Sequence, residues 1–235
     1  DTTGLENGTN THVVSTSGIC ETKTATFNFK VVNDVEISVE TSQSVYNLGE
    51  PINIYGQVID DEGTSLAEVN VAITITARGF KRKYTVQTDE EGNYLHTFTP
   101  SQGEGGFFDV NAAIVANDLF RNAETSFTIE GLFFTPTSVN IDMSKNSSVN
   151  GGVTLINAGT QEISGLDVYL VDQDEGDGVT AEITTEEIPE TLSPGQRLSL
   201  NIEVSADLYA PDQALFSLVA SGSGVPERQI TIRTV

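Results

Sequence analysis

Three acidic segments carry side chains of the type that binds a hard divalent cation. They are Asp60-Asp61-Glu62, Asp89-Glu90-Glu91 and Asp172-Gln173-Asp174-Glu175-Gly176-Asp177. Calcium takes oxygen ligands, and closely spaced carboxylates in turns supply them. The sequence therefore predicts Ca²⁺ as a cofactor held in these turns; the alternative is that they are ordinary solvated turns. The candidate ligands are Asp60, Asp61, Glu62, Asp89, Glu90, Glu91, Asp172, Asp174, Glu175 and Asp177.

The third segment begins like the D-x-D of an EF-hand loop and then departs from it. Its fifth position is Gly176, and its twelfth position, which is Glu in an EF-hand, is Ile183. A cation could instead lie between modules, with Asn33-Asp34 at one junction and Glu130 at the next. Binding there would stiffen an array of modules.

Groups suited to covalent or acid–base catalysis are scarce. The two histidines, His12 and His96, fall in strand-like segments. The single cysteine, Cys20, allows no internal disulfide and is expected to be a small buried hydrophobe rather than a reactive thiol. The sequence contains no nucleophile elbow, Gly-rich phosphate loop or His-rich metal motif. We therefore expect a protein that is not an enzyme.

The chain has one basic cluster. Arg78, Lys81, Arg82 and Lys83 surround Gly79 and supply four of the eleven basic residues. The cluster is either a solvated hairpin tip or a contact for an acidic neighbouring subunit or a polyanionic surface glycan.

Two N-x-S/T triplets lie in polar stretches, Asn7-Gly8-Thr9 and Asn146-Ser147-Ser148. Such triplets accept N-linked glycans in exported proteins. Asn7 and Asn146 are therefore candidate glycosylation sites.

The elements that must position these residues are β-strands. Apolar residues alternate in segments such as Val35-Glu36-Ile37-Ser38-Val39, and no window keeps a 3.6-residue period. One strand ending recurs as Ala25-Thr26-Phe27-Asn28-Phe29, Thr125-Ser126-Phe127-Thr128-Ile129 and Gln229-Ile230-Thr231-Ile232. The copies are 100 and 103 residues apart, about the length of one immunoglobulin-like β-sandwich. The predicted fold class is all-β: tandem immunoglobulin-like sandwiches preceded by an orphan hairpin.

The first 34 residues are too few to enclose a core of their own. Strand 24–31 has an apolar face that something must cover. At the 100-residue offset, Val14 aligns with Ile114 and Cys20 with Phe120. The hairpin either ends a preceding sandwich or donates a strand to a neighbouring chain. The predicted interface residues of this face are Ala25, Phe27, Phe29 and Val31.

Residues 35–130 carry the run Thr88-Asp89-Glu90-Glu91-Gly92-Asn93-Tyr94, followed by Phe98-Thr99-Pro100. This run resembles the T-D-x-x-G-x-Y-x-x-x-F-x-P pattern of prokaryotic immunoglobulin-like and macroglobulin-like modules. Asp89 and Gly92 would form a turn, and Tyr94 and Phe98 would bury their rings. The resemblance implies a β-sandwich and assigns no function.

Residues 131–235 contain Val153-Thr154-Leu155-Ile156-Asn157-Ala158-Gly159-Thr160 and Leu192-Ser193-Pro194-Gly195-Gln196. These runs are similar to adhesion-related, CARDB-like sandwiches of bacterial and archaeal surface proteins and secreted enzymes. Asn157 and Gly159 are expected to adopt positive φ in a tight turn, and Pro194-Gly195 a β-turn.

The predicted organisation is a terminal hairpin or donor segment (1–34) and two immunoglobulin-like sandwiches (35–130 and 131–235). A net charge of −23, from 34 acidic and 11 basic residues, excludes ordinary nucleic-acid binding and disfavours anionic membranes. No apolar run is long enough to insert into a membrane. The absence of Trp and an aromatic content of 7% argue against an aromatic platform for sugars or nucleic acids.

These features favour a non-catalytic structural array in an extracellular cell-surface protein, such as a surface layer (S-layer), adhesin stalk or extracellular filament. The expected partners are neighbouring copies or modules of the same protein, and surface glycans. Two alternatives stay open. One is a self-assembling fibre subunit that uses its N-terminal strand for donor-strand exchange. The other is a spacer or accessory sugar-binding region of a secreted hydrolase.

Overall fold

The fold is all-β, as predicted. The computed structural model describes residues 8–17, 22–31, 34–116, 119–173 and 178–234, and every regular element in these ranges is a strand. Within the same ranges, no helix has the length and apolarity needed to cross a membrane.

The N-terminal element is a two-stranded antiparallel hairpin, called here the ribbon. It consists of β1 (Gly8–Ser17) and β2 (Thr22–Val31), paired with each other over ten residues. Its strands belong to none of the four sheets that enclose the two hydrophobic cores.

The first sandwich packs a five-stranded sheet against a smaller one. The larger sheet has the order β5-β11-β10-β7-β8; in the smaller one, β6 pairs with β3 and β4 on one side and β9 on the other. The strands are β3 (Val35–Ile37), β4 (Glu40–Thr41), β5 (Val45–Asn47), β6 (Ile52–Asp60), β7 (Asn70–Ala77), β8 (Phe80–Gln87), β9 (Asn93–Phe98), β10 (Gly106–Ala116) and β11 (Leu119–Glu130).

The second sandwich packs two four-stranded sheets, β12-β14-β19-β17 and β13-β21-β20-β16, with a short β15-β18 pair beside them. The strands are β12 (Leu132–Thr135), β13 (Ser138–Ile141), β14 (Ser147–Asn157), β15 (Ile163–Ser164), β16 (Asp167–Asp172), β17 (Val179–Ile183), β18 (Thr191–Leu192), β19 (Arg197–Ala206), β20 (Leu215–Gly222) and β21 (Val225–Thr234).

Each sandwich has its own hydrophobic core, formed by the inward residues of alternating strands. In the first, Tyr94 and Phe98 are buried, as predicted. Phe98 lies 5.9 Å from Phe108, and Phe108 stacks on Phe127 at 5.0 Å between ring centroids. Aromatic pairs at these distances add to the stabilisation from burial alone.

Both sandwiches end in the same way. The last hairpin, β10-β11 or β20-β21, buries one face, and its second strand also pairs in parallel with a short early strand, β5 or β13. The repeated sequence ending therefore marks the same structural position twice: Ile129 and Ile232 are both fully buried there.

The ribbon corresponds to this last hairpin, but with a different register from the one that sequence alignment suggests. Phe27 pairs with His12, whereas its counterpart Phe127 pairs with Phe108. Val14 therefore corresponds to Val110, which pairs with Thr125, and the alignment of Val14 with Ile114 was wrong. Strand pairing, not sequence offset, decides which residues share a face.

One histidine has a pKa that makes stability depend on pH. His96 on β9 lies 4.1 Å from Tyr84, between ring centroids, and burial lowers the pKa of its imidazole below the ordinary value of 6.5. As pH falls, the unfolded chain takes up this proton first. The contribution of neutral His96 is fully present above about pH 6.5 and is lost as pH falls below it.

We therefore expect the melting temperature to fall between pH 7.5 and pH 5.5 by more in the wild type than in a His96→Phe variant. The difference between the two falls should be no more than about a few degrees. Thermal melts followed by circular dichroism measure it. Equal losses in both proteins would contradict the assignment.

Candidate functional site: the junction of the sandwiches

The two sandwiches follow each other with almost no linker. Strand β11 ends at Glu130 and β12 begins at Leu132, so that only Gly131 lies between them. Gly131 has a φ of 154°, and a Cβ there would lie 2.8 Å from the Cβ of Leu48. The backbone therefore crosses from one core to the next through a single residue, beside Leu48.

Glu130 joins the two sandwiches through its side chain. It is 8% exposed, and its carboxylate accepts hydrogen bonds from the Thr160 N–H at 2.9 Å, the Thr160 hydroxyl at 2.5 Å and the Gln161 N–H at 3.3 Å. Hydrogen bonds to a carboxylate are stronger than neutral ones. We call Glu130 with the loop 157–161 the junction clamp.

The clamp loop is held from inside the second sandwich. The buried Asn157 side chain donates to the carbonyls of Gln161 at 2.7 Å and Leu192 at 2.8 Å, and its oxygen accepts from the Gly159 N–H at 3.0 Å. Because both N–H groups of this amide have acceptors, Asn157 fixes the loop in the shape that presents Thr160 to Glu130.

The expectation that Asn157 and Gly159 have positive φ was wrong, since neither does. A Cβ on Gly159 would overlap the carboxylate of Glu130. Close approach across the junction, rather than backbone conformation, is what requires glycine there. The other predicted turn is confirmed: Gln196 N–H donates to Ser193 C=O at 2.9 Å, and Gly195 has a φ of 72°.

Further contacts tie the same surfaces together. Ala158 joins the core of the first sandwich, and a Cβ on Gly105 would overlap its backbone. Phe133 packs against the first core as well, and Arg228 donates to the Leu48 carbonyl across the junction. The junction is therefore a packed interface.

The other predicted junction group, Asn33-Asp34, is described only in part, because Asn33 lies outside the described residues. Asp34 Oδ1 accepts from the Val35 N–H at 2.7 Å and from Arg121 at 2.6 and 3.0 Å. These bonds, the backbone one foremost, hold the pKa of Asp34 below its ordinary value. Both Asp34 and Glu130 thus have donors from the chain itself.

Two of the acidic segments form matching turns at one end of the first sandwich. Asp60 Oδ1 accepts from the N–H groups of Glu62 and Thr64 at 3.0 and 2.8 Å. Asp89 Oδ1 does the same for Glu91 and Asn93 at 3.1 and 2.7 Å. These aspartates therefore stabilise the turns, which is the ordinary role of Asp there.

The third acidic segment lies mostly outside the described residues, which include Asp172 but not Asp174, Glu175 or Asp177. Within the described part of the chain, no three His, Cys, Asp or Glu side chains come close enough to share a metal ion. Calcium binding at Asp60, Asp61, Glu62, Asp89, Glu90, Glu91 or the third segment stays a prediction.

The basic cluster is divided between two environments. Arg82 pairs with Glu104 at 2.5 Å and lies over the Phe98 ring, and Arg78 donates to the Gly105 carbonyl at 3.0 Å. Lys81 and Lys83 instead project from the outer face of β8, opposite Thr76 and Thr74. The two arginines thus act within the fold, and only the two lysines are placed to meet a partner.

Burial and pairing oppose each other at Glu104. Burial raises the pKa of its carboxyl, but hydrogen bonds from Arg82 and the Ser101 backbone outweigh it and hold the pKa below its ordinary value. The hydrogen bond to Glu104 in turn raises the pKa of Arg82. The pair therefore stays charged at neutral pH.

The remaining predicted sites lie on surfaces. Asn146 is exposed with a φ of 56°, so its glycosylation stays a prediction, and Asn7 lies outside the described residues. In the ribbon, Ala25 and Phe27 are exposed, while the side chains of Phe29 and Val31 lie outside the described part. Cys20 also lies outside it.

Among known proteins, only solved structures show similarity to this chain. No family model and no curated protein matches the sequence. The chain is similar to native alpha-2-macroglobulin of E. coli (15% identity, 100% of this chain and 19% of that one, TM-score 0.47). It is also similar to Salmonella alpha-2-macroglobulin reacted with methylamine (12%, 96% and 18%, TM-score 0.47) and to a three-domain immunoglobulin segment of titin (10%, 97% and 74%, TM-score 0.36).

The chain spans about a fifth of the length of the two alpha-2-macroglobulins. At these identities and TM-scores, the similarities say nothing of activity. The sheets, registers and cores described above make the chain a tandem of two immunoglobulin-like β-sandwiches preceded by a β-hairpin.

Proposed function

We propose that this chain is a stiff, non-catalytic spacer in an extracellular surface protein. The observation that carries the proposal is the junction clamp. A buried carboxylate of one sandwich accepts three hydrogen bonds from the next, one residue before the second core begins. Modules that share only a small, polar interface are expected to move relative to each other. Here, hydrogen bonds to a buried carboxylate hold the two sandwiches together.

The surface supports the extracellular part of the proposal. A charge of −23 on 235 residues keeps copies apart and solvated, which suits a stalk or layer exposed to the medium. Asn146 is exposed, so a glycan could be attached there without disturbing the core. The resemblance of both sandwiches to prokaryotic surface modules agrees with this location.

Stiffness is the property to measure. Nitroxide labels on Thr85→Cys and Thr180→Cys, both exposed positions in different sandwiches, report the separation of the two bodies. With Cys20→Ala to remove the native thiol, pulsed electron resonance should give one narrow distance distribution. The same labels placed within one sandwich, on Thr85→Cys and Asn122→Cys, give the width of a rigid body. A distribution much broader than this reference would contradict the proposal.

A further inference from the structure

The outer face of the five-stranded sheet in the first sandwich contains a polar depression of about 480 Å³. Six side chains from three neighbouring strands line it in two rows: Lys81, Thr76 and Asp109, and Lys83, Thr74 and Asn111. We call these six residues the sheet-face site. They alternate along their strands with core residues such as Ile75 and Val110, and their side chains therefore point away from the core.

The opposite charges in the site do not neutralise each other. In the first row, Lys81 and Asp109 are separated by Thr76. The ion pairs among the described residues involve none of the charged groups of the site. Two ammonium groups on one side of the depression and a carboxylate on the other are therefore available to a ligand.

The middle of the site supplies hydrogen-bonding groups of both kinds. The hydroxyls of Thr74 and Thr76 can each donate one hydrogen bond and accept others. Asn111 donates to Glu124 Oε1 at 3.0 Å, and this bond holds its amide across the second row. The carbonyl oxygen of the same amide and its other N–H keep their capacity for a ligand. The site therefore offers donors and acceptors within one small area.

A ligand in this depression must bind to side chains. Strands β7 and β10 are interior strands, and their main-chain groups pair with the strands on either side. A peptide that adds to a sheet needs a free strand edge, which the floor of the depression does not present. Sugar hydroxyls, which both donate and accept, match the mixture of hydroxyl, amide and carboxylate groups instead.

The dimensions of the site also fit an oligosaccharide. Neighbouring strands lie about 4.8 Å apart, close to the length of one sugar ring, so successive rings can follow the rows from β8 to β10. Phe107, which is 52% exposed on the same face of β10, lies two residues before Asp109. It offers the apolar side of a sugar ring a surface next to the polar rows.

We propose that the sheet-face site binds an acidic oligosaccharide, with the carboxylate of one sugar on Lys81 and Lys83 and the hydroxyls of the next sugars on the other four residues. Hydrogen bonds from the ammonium groups to a carboxylate are charge-assisted and therefore strong. Asp109 accepts from neutral hydroxyls and repels a second carboxylate. The acidic sugar is therefore placed at the β8 end of the rows.

The inference goes beyond the proposed spacer, since it adds a ligand-binding surface, and it does not depend on the stiffness of the junction. It also needs no aromatic platform, because charge and hydrogen bonds supply the recognition. A narrow distance distribution without sugar binding would retain the spacer and remove the site. Sugar binding with a flexible junction would do the reverse.

The test is a titration of the isotope-labelled full chain with trigalacturonic acid, followed by the chemical shifts of the backbone amides. Signals of β7, β8 and β10 around the site should shift, with a Kd of about 1 mM or below. Maltotriose, a neutral trisaccharide, should bind at least about tenfold more weakly, because it lacks the charge-assisted bonds to the lysines.

Two variants separate charge from hydrogen bonding. Replacing both lysines (Lys81→Gln with Lys83→Gln) should reduce the binding of trigalacturonic acid to the level of maltotriose. Thr76→Val keeps the shape of the side chain but removes the hydroxyl, and should weaken the binding of trigalacturonic acid by about two- to tenfold. The matched control, Lys145→Gln with Arg197→Gln, removes two exposed positive charges from the second sandwich and should bind like the wild type.

Three results would overturn the proposal. The first is the absence of shifts at the site, or an equal effect of the lysine pair and the control pair. The second is unchanged binding by Thr76→Val, which would leave charge as the only attraction. The third is an equal response to triglutamate, a peptide that also carries several carboxylates, which would indicate an acidic peptide as the ligand.

Discussion

Replacing Gly159 by alanine is expected to lower the free energy of unfolding by about 2–4 kcal/mol and to loosen the junction. The new methyl group occupies the position of the Glu130 carboxylate, which must leave its three donors. A buried carboxylate without partners, and backbone N–H groups without an acceptor, account for the cost. Denaturant unfolding measures the stability, and the distance distribution of the Thr85 and Thr180 labels measures the junction.

Gly152→Ala is the matched control. Gly152 lies in β14 of the same sandwich and has ordinary φ, and a Cβ added to it would meet no other atom within 4 Å. Alanine there should be neutral or slightly stabilising. A double mutant adds a sharper comparison. Once Glu130→Ala has removed the carboxylate, Gly159→Ala should cost little more, because the two changes act on one contact. Additive costs would contradict the clamp.

Replacing Phe108 by alanine is expected to cost about 3–5 kcal/mol in the unfolding of the first sandwich. Phe108 is fully buried and forms a triangle of aromatic rings with Phe98 and Phe127, so its removal leaves a cavity bordered by those two rings. In calorimetry the change should lower the melting temperature of the first sandwich more than that of the second, whose core meets the first only at the junction.

Phe107→Ala, one residue away on the same strand, is the control for Phe108. Phe107 is 52% exposed on the outer face of the sheet. Its truncation should change the free energy of unfolding by less than about 1 kcal/mol. Similar losses for both residues would contradict the assignment of Phe108 to the inward face of β10 and Phe107 to the outward face.

Local patterns sufficed for the fold class and for the turns at Asp89-Gly92 and Pro194-Gly195, but not for the loop at Asn157 and Gly159. Apolar and polar residues alternate along β6 and β10 because each strand buries one face, and this pattern is visible in the sequence. The two turns follow from the backbone preferences of Asp89-Gly92 and Pro194-Gly195 themselves. The recurrence of the strand ending near Phe127 and Ile232 identified the repeat, because each copy closes a sandwich and meets the same packing requirement.

The tertiary structure decided everything that depends on residues far apart in the chain. The sequence predicts Glu130 as a junction residue. Its partner Thr160 is 30 residues further along the chain, and only the folded interface brings the two side chains together. The same interface gave Gly159 its role. The basic cluster is divided because alternate residues of β8 point to opposite faces, so Arg82 lies on the other side of the strand from Lys81 and Lys83. The register of the ribbon likewise depends on how its two strands pair, and a fixed offset between sequence copies does not predict that pairing.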